Sequence, residues 1–116
     1  MDSRVLDRSE WKAASELLSE AIAGKQAEIE VASLRLGDQI EADWAPVRGF
    51  SYSPEDDEFR VSLEQTECVV REPRSFMVRG TPAAVDSLAI VGRYGDEHIV
   101  KFRDPLALPS PGATAH

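Results

Sequence analysis

Residues 27–44 read AEIEVASLRLGDQIEADW, and the period-two hydrophobicity of this stretch decides the fold class. Ile29 and Val31 alternate with glutamates, which predicts a β-strand with one face in water. At Leu34 the apolar residues move from odd to even positions, so we expect a β-bulge around Ala32 and Ser33. The first half of the stretch is therefore expected to begin an antiparallel sheet.

The second half of the stretch is expected to turn back on the first. Gly37 and Asp38 predict a two-residue hairpin loop, because glycine adopts positive φ without strain. Three apolar residues of the return strand are expected to face inward, and they are Ile40, Ala42 and Trp44. Pro46 and Gly49 interrupt the alternation, so this second strand is expected to be long and bent.

An amphipathic helix is expected before the hairpin, over about residues 8–23. Asp7 and Glu10 have the spacing of a capping box at its start, and Gly24 suits the C′ position at its end. One apolar stripe follows three- and four-residue steps, formed by Trp11, Ala14, Leu18, Ala21 and Ile22. A helix with one apolar face must pack on another layer, and we expect the strands to supply it.

Further strands are expected after the hairpin, joined by short turns. Residues 54–57 predict a turn, and the most regular alternation in the chain follows it, with Phe59, Val61 and Leu63 on one face. The remaining apolar segments are shorter and lie at residues 68–70, 76–78, 88–91 and 99–102. These segments bring the expected count to five or six strands.

We therefore predict an α+β fold, in which the N-terminal helix packs on a bent antiparallel sheet of five to six strands. The expected bends favour a small, partly open barrel of the SH3-like or Sm-like kind. The alternative is an open antiparallel sheet with the helix across one face. A single globular domain is expected over residues 1–108, with strands from about 27 to 103, and the proline-rich tail at 109–116 is expected to be disordered.

The composition argues against several classes of function. The chain of 116 residues carries 13 Lys and Arg against 21 Asp and Glu, a formal net charge of −8, which disfavours nucleic acid and anionic membranes as partners. One cysteine and two histidines exclude an internal disulfide and a structural zinc site, so no metal or cofactor is expected. No apolar segment has the length of a signal-peptide core or a membrane span, so we expect a cytoplasmic protein.

Four segments of the chain match a known pattern: residues 27–44, 6–11 (LDRSEW), 71–74 (REPR) and 103–106 (RDPL). Together they resemble a family of short bacterial proteins that is defined only by a domain of unknown function. The resemblance covers about residues 5–109 and implies a small stand-alone protein, with no assigned activity, cofactor or catalytic residue. Where this chain has Cys68, the family pattern often has histidine, which weakens any role for histidine chemistry at that position.

Positive charge gathers in the C-terminal half, where four arginines form the candidate ligand or partner surface: Arg71, Arg74, Arg79 and Arg103. Arg71 and Arg79 have the same parity, so both are able to project from one face. Such a surface suits an anionic ligand or an electrostatically matched subunit. The alternative is that the arginines protect edge strands against aggregation.

Two side chains are candidates for chemistry. His98 follows Asp96 and Glu97, which permits a carboxylate-supported general base, although no nucleophile motif accompanies it. Cys68 lies beside Glu67, a charge that opposes a reactive thiolate, so a small core residue is the favoured interpretation.

The remaining candidates favour structural interpretations. The acidic run at residues 55–58 lacks the staggered ligands and the glycine of a calcium loop, and we expect a solvated turn. Trp11 and Trp44 both lie on the apolar phase of their elements, which predicts core packing rather than a ligand cage.

We therefore expect no enzyme, but a non-enzymatic binding or assembly module that forms a homo-oligomer or binds a protein partner. The alternative is an Sm-like or SH3-like barrel that binds RNA or another anionic ligand through the C-terminal arginines. A third hypothesis is a small enzyme that uses His98, and it predicts a concave pocket around that side chain.

Overall fold

A computed structural model describes residues 3–33, 37–64 and 66–108. A 3-10 turn at Arg8–Glu10 leads into helix α1 at Trp11–Ile22. The strands are β1 (Ser3–Val5), β2 (Gln26–Ser33), β3 (Gly37–Ser53), β4 (Glu58–Leu63), β5 (Glu67–Arg71), β6 (Ser75–Thr81), β7 (Ala84–Val91) and β8 (Glu97–Leu106). The predicted tail at 109–116 lies outside the described residues.

All of the strands belong to one antiparallel sheet in the order β1-β6-β7-β8-β2-β3-β4-β5. The α+β class and the helix on the sheet are confirmed, but the predicted barrel is wrong. Strands β1 and β5 are the two edges, and no ladder among the described residues joins them. The five to six expected strands become eight, partly because β1 is only three residues long and carries no alternation.

The sheet nevertheless curls around its core. Strands β7, β8 and β2 separate β6 from β3 in the sheet, yet the rings of Phe76 and Phe50 on β6 and β3 lie 5.8 Å apart. The helix lies against β3, and Gly24 after the helix has a φ of +82°, as its predicted C′ position requires. Among the described residues, no helix has the length and apolarity that a membrane span requires.

The predicted hairpin forms, but its loop differs from the expected one. Gly37 pairs with Ser33 and Asp38 pairs with Ala32, so both residues of the expected loop belong to β3. The residues between the strands, 34–36, lie outside the described part. The expected bulge at Ala32 and Ser33 is also displaced, because the register shifts occur on either side of Ile29.

These register shifts overturn the predicted orientation of β3. Between Ala27 and Glu30 on β2, the facing segment of β3 carries two additional residues, and Trp44 there has a φ of +43°. Each extra residue reverses the side of the sheet to which the next side chains point, so the regular alternation predicted from the sequence does not hold in this segment. Ile40 is consequently 55% exposed and Trp44 37% exposed, and the prediction that they face the core is wrong.

The core lies inside the curl, between α1 and the concave face of the sheet. Its centre is the fully buried ring of Phe59, which lies within 5.5 Å of the rings of Trp11, Phe50, Tyr52 and Phe76. The predicted burial of Trp11 is thus confirmed. Aromatic pairs at such separations add to the free energy of burial, so this cluster anchors the helix to the sheet.

The ladders separate the residues of β6, β7, β8 and β2 into two faces. The inner face points to the core and carries Phe76, Ile90, Leu88, Val100 and Ile29, all 1% exposed or less. The outer face carries the alternate residues of the same strands. The helix and the aromatic cluster cover the inner face only, so any apolar residue on the outer face needs a separate explanation.

Candidate functional site

A row of mostly apolar side chains crosses the outer face of the sheet. Residues in register on paired strands share a face and lie side by side. The ladders place in one row, here called the outer row, Val5, Met77, Ala89, Ile99, Glu30 and Ile40. The row runs across six neighbouring strands, from β1 to β3.

The outer row is more apolar than the solvent face of an antiparallel sheet usually is. Its two ends are open to solvent, with Val5 67% exposed and Ile40 55% exposed. Met77 and Ile99 are half-buried, and Ala89 between them is covered. Scattered exposed apolar residues are ordinary, but four of them aligned in one row are typical of a contact surface. Glu30 interrupts the row between Ile99 and Ile40.

Charged residues flank the outer row on both sides. On one side the ladders place Arg79, Ser87, Lys101 and Glu28, here called the Lys101 row. On the other side they place Ser75, Val91, Glu97 and Ala32, here called the Glu97 row. The Lys101 row thus carries two basic residues and one glutamate, and the Glu97 row carries a single glutamate.

Ion pairs link these rows across the apolar residues. Arg79 lies 3.8 Å from Glu97, and because the two flank the outer row on either side of Ala89, their side chains cross over that small residue. Lys101 Nζ lies 3.2 Å from Glu30 and 3.9 Å from Glu28. The one carboxylate within the outer row is thus paired with a lysine of its flank.

The four arginines of the predicted surface lie on separate elements. Arg71 on β5 lies 3.5 Å from Glu58, and Arg79 on β6 pairs with Glu97 as above. Strands β5 and β6 are not neighbours in the sheet, although they follow each other in the chain.

The other two arginines of that surface are exposed. Arg103 on β8 donates to Gln26 Oε1 at 3.0 Å, and its guanidinium lies 5.8 Å from the ring of Trp44. Arg74 lies in the connection between β5 and β6. That these arginines form one ligand surface stays a prediction.

His98 and Cys68, which the sequence offered as separate candidates, line one cavity of 210 Å³. His98 pairs with Ile90 and Val31, so it belongs to the inner face rather than to the tip of a hairpin. Cys68 pairs with Val61, whose side chain is in the core. His98 lies two residues before the apolar Val100 on the same strand, and this spacing in the sequence indicates that His98 points inward. Its proximity to β5, by contrast, depends on the curl of the sheet.

The acidic run at residues 55–58 takes part in a network that the sequence did not reveal. Asp57 accepts from the Tyr52 hydroxyl at 2.7 Å and from Arg8 Nη1 at 2.8 Å. The Tyr52 hydrogen bond, together with Arg8, holds the pKa of Asp57 below its usual value. Burial raises the pKa of Tyr52, and the hydrogen bond to Asp57 adds to that shift.

The same network ties the N-terminal turn to the sheet. Arg8 lies 4.4 Å from the centroid of Trp11 and donates to the Pro73 carbonyl at 2.9 Å. The hydrogen bond that Arg8 donates to Asp57 raises the pKa of Arg8. Three elements meet at this arginine, which indicates a structural role. Among the described residues, no group of three or more His, Cys, Asp and Glu side chains is placed to hold a metal ion.

An apolar groove of 560 Å³ separates α1 from the β6–β7 hairpin. Leu17, Val78, Val85 and Leu108 are among the residues that line it. Arg4 also lines the groove, and its guanidinium lies 2.9 Å from Glu10. The only charge described at the groove is thus already neutralised, so the groove offers apolar surface without a polar group that would select a ligand.

Comparisons with known proteins place the chain without assigning it an activity. The model of a family described as "Family of unknown function (DUF5335)" matches residues 2–111. An uncharacterised protein of Aquifex aeolicus (strain VF5) is similar to the chain, with 24% identity over 110 residues that span 94% of this chain and 99% of the relative. No solved structure matches.

Proposed function

Because the chain belongs to a family of unknown function (DUF5335), its relatives supply no activity, and we propose a function from its geometry alone. We propose that it is a non-enzymatic, cytoplasmic binding module whose contact surface for another protein is the outer row with its two charged flanks. The observation that carries this proposal is the alignment of four apolar side chains that contact water in one row across six neighbouring strands: Val5, Met77, Ile99 and Ile40.

The free energy of solvation favours this function. Leaving apolar side chains in water forgoes about 25 cal/mol for each Å² that a partner would cover. Met77 and Ile99 are half-buried at the centre of the face, while Val5 and Ile40 are exposed at its ends. An apolar centre with a charged rim is the usual anatomy of a protein interface, because the charges select the partner while the centre supplies affinity.

An anion- or RNA-binding surface built on the arginines has weaker support. Three of the four arginines have an acceptor beside them in the chain itself: Glu58 for Arg71, Glu97 for Arg79 and Gln26 for Arg103. An arginine that is already paired with a carboxylate attracts a phosphate weakly, because the local charge is neutral. With a net charge of −8, the chain offers no long-range attraction to compensate.

The proposed binding surface is tested by capture with matched lysine variants. Ile99→Lys adds a charge within the outer row, while Ala13→Lys adds the same charge to an exposed position of α1. The two variants and the unmodified chain, each with an affinity tag, are incubated in a lysate of the cells that naturally make this protein. The proteins that each one retains are identified by mass spectrometry.

We expect a protein that the unmodified chain and Ala13→Lys retain equally and that Ile99→Lys loses by about tenfold or more. Urea unfolding of the three proteins checks that each is folded. If Ile99→Lys and Ala13→Lys retain the same proteins, the outer row is not the contact surface and the proposal fails.

The cavity that contains His98 and Cys68 supports a second candidate, a small enzyme with a thiol nucleophile. An imidazole that shares a cavity with a thiol is able to accept its proton, and the thiolate is the nucleophilic form. We expect iodoacetamide to alkylate Cys68 at pH 7 about tenfold faster in the unmodified protein than in His98→Asn. Mass spectrometry measures the rate of alkylation. Equal rates in the two proteins would rule out this candidate.

A further inference from the structure

We infer that β5 is a second contact surface, at which two copies of this chain pair edge to edge and join their sheets. Strand β5 (Glu67–Arg71) is an edge of the sheet, and within the described part of the chain no strand pairs with the side of β5 that faces away from β4. In the inferred dimer the two β5 strands run antiparallel, with Val69 opposite the partner's Val69. The outer row does not reach β5, so this inference goes beyond the proposed function and does not depend on it.

Hydrogen bonds at both ends of the β4–β5 hairpin show which backbone groups of β5 are open. Before β5, Leu63 N donates to the carbonyl oxygen of Thr66 at 2.8 Å. After β5, Glu72 N donates to the carbonyl oxygen of Asp57, also at 2.8 Å. Bonded and non-bonded pairs alternate along an antiparallel ladder, so β5 bonds to β4 through its even-numbered residues. The N–H and C=O groups of the other three residues point away from β4, and these residues are Glu67, Val69 and Arg71.

The rest of the molecule contacts β5 on its inner face. Val70 is buried there, and a Cβ at Gly92 would lie 3.5 Å from its Cγ1. Edge strands are usually protected by a proline, a bulge or a very short length. Strand β5 has no proline and no bulge against β4, whereas the opposite edge, β1, has only three residues. The open backbone groups of β5 therefore form a template for another strand.

Charge selects the register of this pairing. A two-fold axis at Val69 places Glu67 of each copy opposite the partner's Arg71. Opposite charges in directly facing positions stabilise paired strands, and like charges destabilise them. An axis one residue away, at Cys68 or Val70, leaves neither charge opposite the other. An axis two residues away places two glutamates or two arginines together, so β5 is complementary to itself only about Val69.

Ion pairs within each copy extend this alternation of charge. Arg71 lies 3.5 Å from Glu58, with which it is paired on β4. In the dimer Arg71 thus stands between Glu58 of its own copy and Glu67 of the partner. Glu67 in turn lies 3.6 Å from Arg60 of its own copy. Both ion pairs are exposed and longer than a hydrogen bond, so each group is able to add a second partner at little cost in free energy.

The contact is small, which predicts a weak and reversible dimer. The five residues of β5 span about 17 Å, and the three open residues of each copy give about six backbone hydrogen bonds between the copies. A strand edge of this length buries less than the about 1,200 Å² of a stable, specific interface. We therefore expect a dissociation constant of about 100 μM or weaker.

A proline at position 69 tests the backbone contact. Val69→Pro removes an N–H that points away from β4, so it spares the β4–β5 ladder while it blocks an added strand. Val69→Ala is the matched control, because it shortens the side chain and keeps the N–H. By sedimentation velocity at up to about 1 mM, we expect Val69→Pro to dimerise at least about tenfold more weakly than Val69→Ala. Equal dimerisation of the two variants, both shown to be folded by urea unfolding, would overturn pairing through β5.

Amide hydrogen exchange locates the contact in the unmodified chain. The Val69 amide should exchange rapidly in the monomer and become protected as the protein concentration rises, because the added strand accepts its hydrogen bond. The Val70 amide already bonds to β4, so its protection should depend much less on concentration. A Val69 amide whose exchange is the same at about 10 μM and about 1 mM would contradict the inferred pairing.

Reciprocal charge reversal tests the register. Glu67→Arg sets two arginines opposite each other in the dimer, and Arg71→Glu sets two glutamates. An equimolar mixture of the two variants restores both opposite-charge contacts in a heterodimer, although the changes within each copy remain. Glu64→Arg is the control, since it makes the same charge change at an exposed position outside β5.

We expect each reversal alone to weaken the dimer about tenfold or more, and the mixture to return within about threefold of the unmodified chain. Glu64→Arg should dimerise as the unmodified chain does. A mixture as weak as its two components would overturn the register at Val69. A monomer at every concentration up to about 1 mM would overturn the second copy and leave the open edge to a strand of a different protein.

Discussion

Both faces of strands β6, β7, β8 and β2 carry apolar side chains, but the two sets have opposite surroundings. Inner-face residues such as Ile90 and Val100 lie under the helix and the aromatic cluster and are 1% exposed or less. Outer-face residues such as Met77 and Ile99 come from the same strands and remain in partial contact with water. An antiparallel sheet needs only one apolar face to fold, so the second one calls for an explanation beyond folding.

The comparison assigns different roles to the two faces. Packing on the inner face determines the free energy of unfolding, because burial there is complete. Apolar side chains on the outer face contribute little to that free energy in a single copy, and their expected contribution is to association. A substitution that changes the free energy of unfolding without changing association, or the reverse, separates the two roles.

Truncation of an inner isoleucine is expected to have the largest effect on stability. Ile90→Ala leaves a cavity beneath Phe76, with which it is paired, at a position that is fully buried. The free energy of unfolding should fall by about 2–5 kcal/mol. Urea denaturation followed by circular dichroism measures it, and a loss below about 1 kcal/mol would contradict the assignment of this face to the core.

A side chain at Gly80 is expected to disturb the division into two faces. Gly80 has a φ of +102°, and a Cβ there would lie 2.3 Å from the carbonyl oxygen of Ala84. The register of β6 against β7 shifts at this residue. The inward direction of the core residues of the hairpin depends on that register, because a slip by one residue turns side chains to the other face. Gly80→Ala should lose about 2 kcal/mol or more of unfolding free energy.

Gly95→Ala is the matched control for this clash. Gly95 also has a positive φ, of +87°, but a Cβ there meets nothing within 4 Å. Gly95→Ala should lose only about 1 kcal/mol of unfolding free energy, which is the cost of backbone strain alone. Equal losses of unfolding free energy in the two variants would show that the close approach to Ala84 does not matter.

The network that closes the core at its N-terminal end gives a smaller, pH-dependent effect. Asp57→Asn weakens the bonds from Tyr52 and Arg8 but keeps a residue type that tolerates the φ of +52° at this position. At pH 7 the loss of unfolding free energy should be about 1 kcal/mol, since the Arg8–Asp57 ion pair is exposed and asparagine still accepts a hydrogen bond from Tyr52.

The pH dependence of this loss has a definite sign. Folding lowers the pKa of Asp57 from its ordinary value of 3.8, so the stabilisation is complete above that value and is lost as the pH falls through the folded pKa. The difference between the two proteins should therefore shrink below about pH 4. A difference that stays constant from pH 7 to pH 2.5 in urea titrations would exclude the carboxylate as its source.

The smallest expected effect on stability is at the outer isoleucine. Ile99→Ala removes the same atoms as Ile90→Ala, but from the outer row of the sheet. At concentrations where the chain is monomeric, the free energy of unfolding should change by about 0.5 kcal/mol or less. A loss equal to that of Ile90→Ala would erase the distinction between the faces.

The sequence was sufficient for the elements that depend on local pattern. The helix, the strand of Phe59 and the apolar segments at residues 88–91 and 99–102 follow from periodicity, and the structure confirms them as α1, β4, β7 and β8. The inward direction of Ile40 and Trp44 was not predictable, because the register shifts beside Ile29 break the parity from which it was inferred.

The candidate site was not visible in the sequence at all. Met77, Ala89 and Ile99 belong to different strands, and only the ladders show that they lie side by side. The nearness of Cys68 to His98 likewise depends on the curl that brings β5 over β8. Pairing between distant strands is set by tertiary packing, which a single sequence does not encode as a local pattern.

Urea unfolding of Ile90→Ala beside Ile99→Ala tests the central claim most directly, because the two variants lose the same atoms from opposite faces of the sheet. Ile90→Ala should lose about 2–5 kcal/mol of unfolding free energy, and Ile99→Ala about 0.5 kcal/mol or less. Equal losses in the two variants would contradict the division of the sheet into a core face and a contact face.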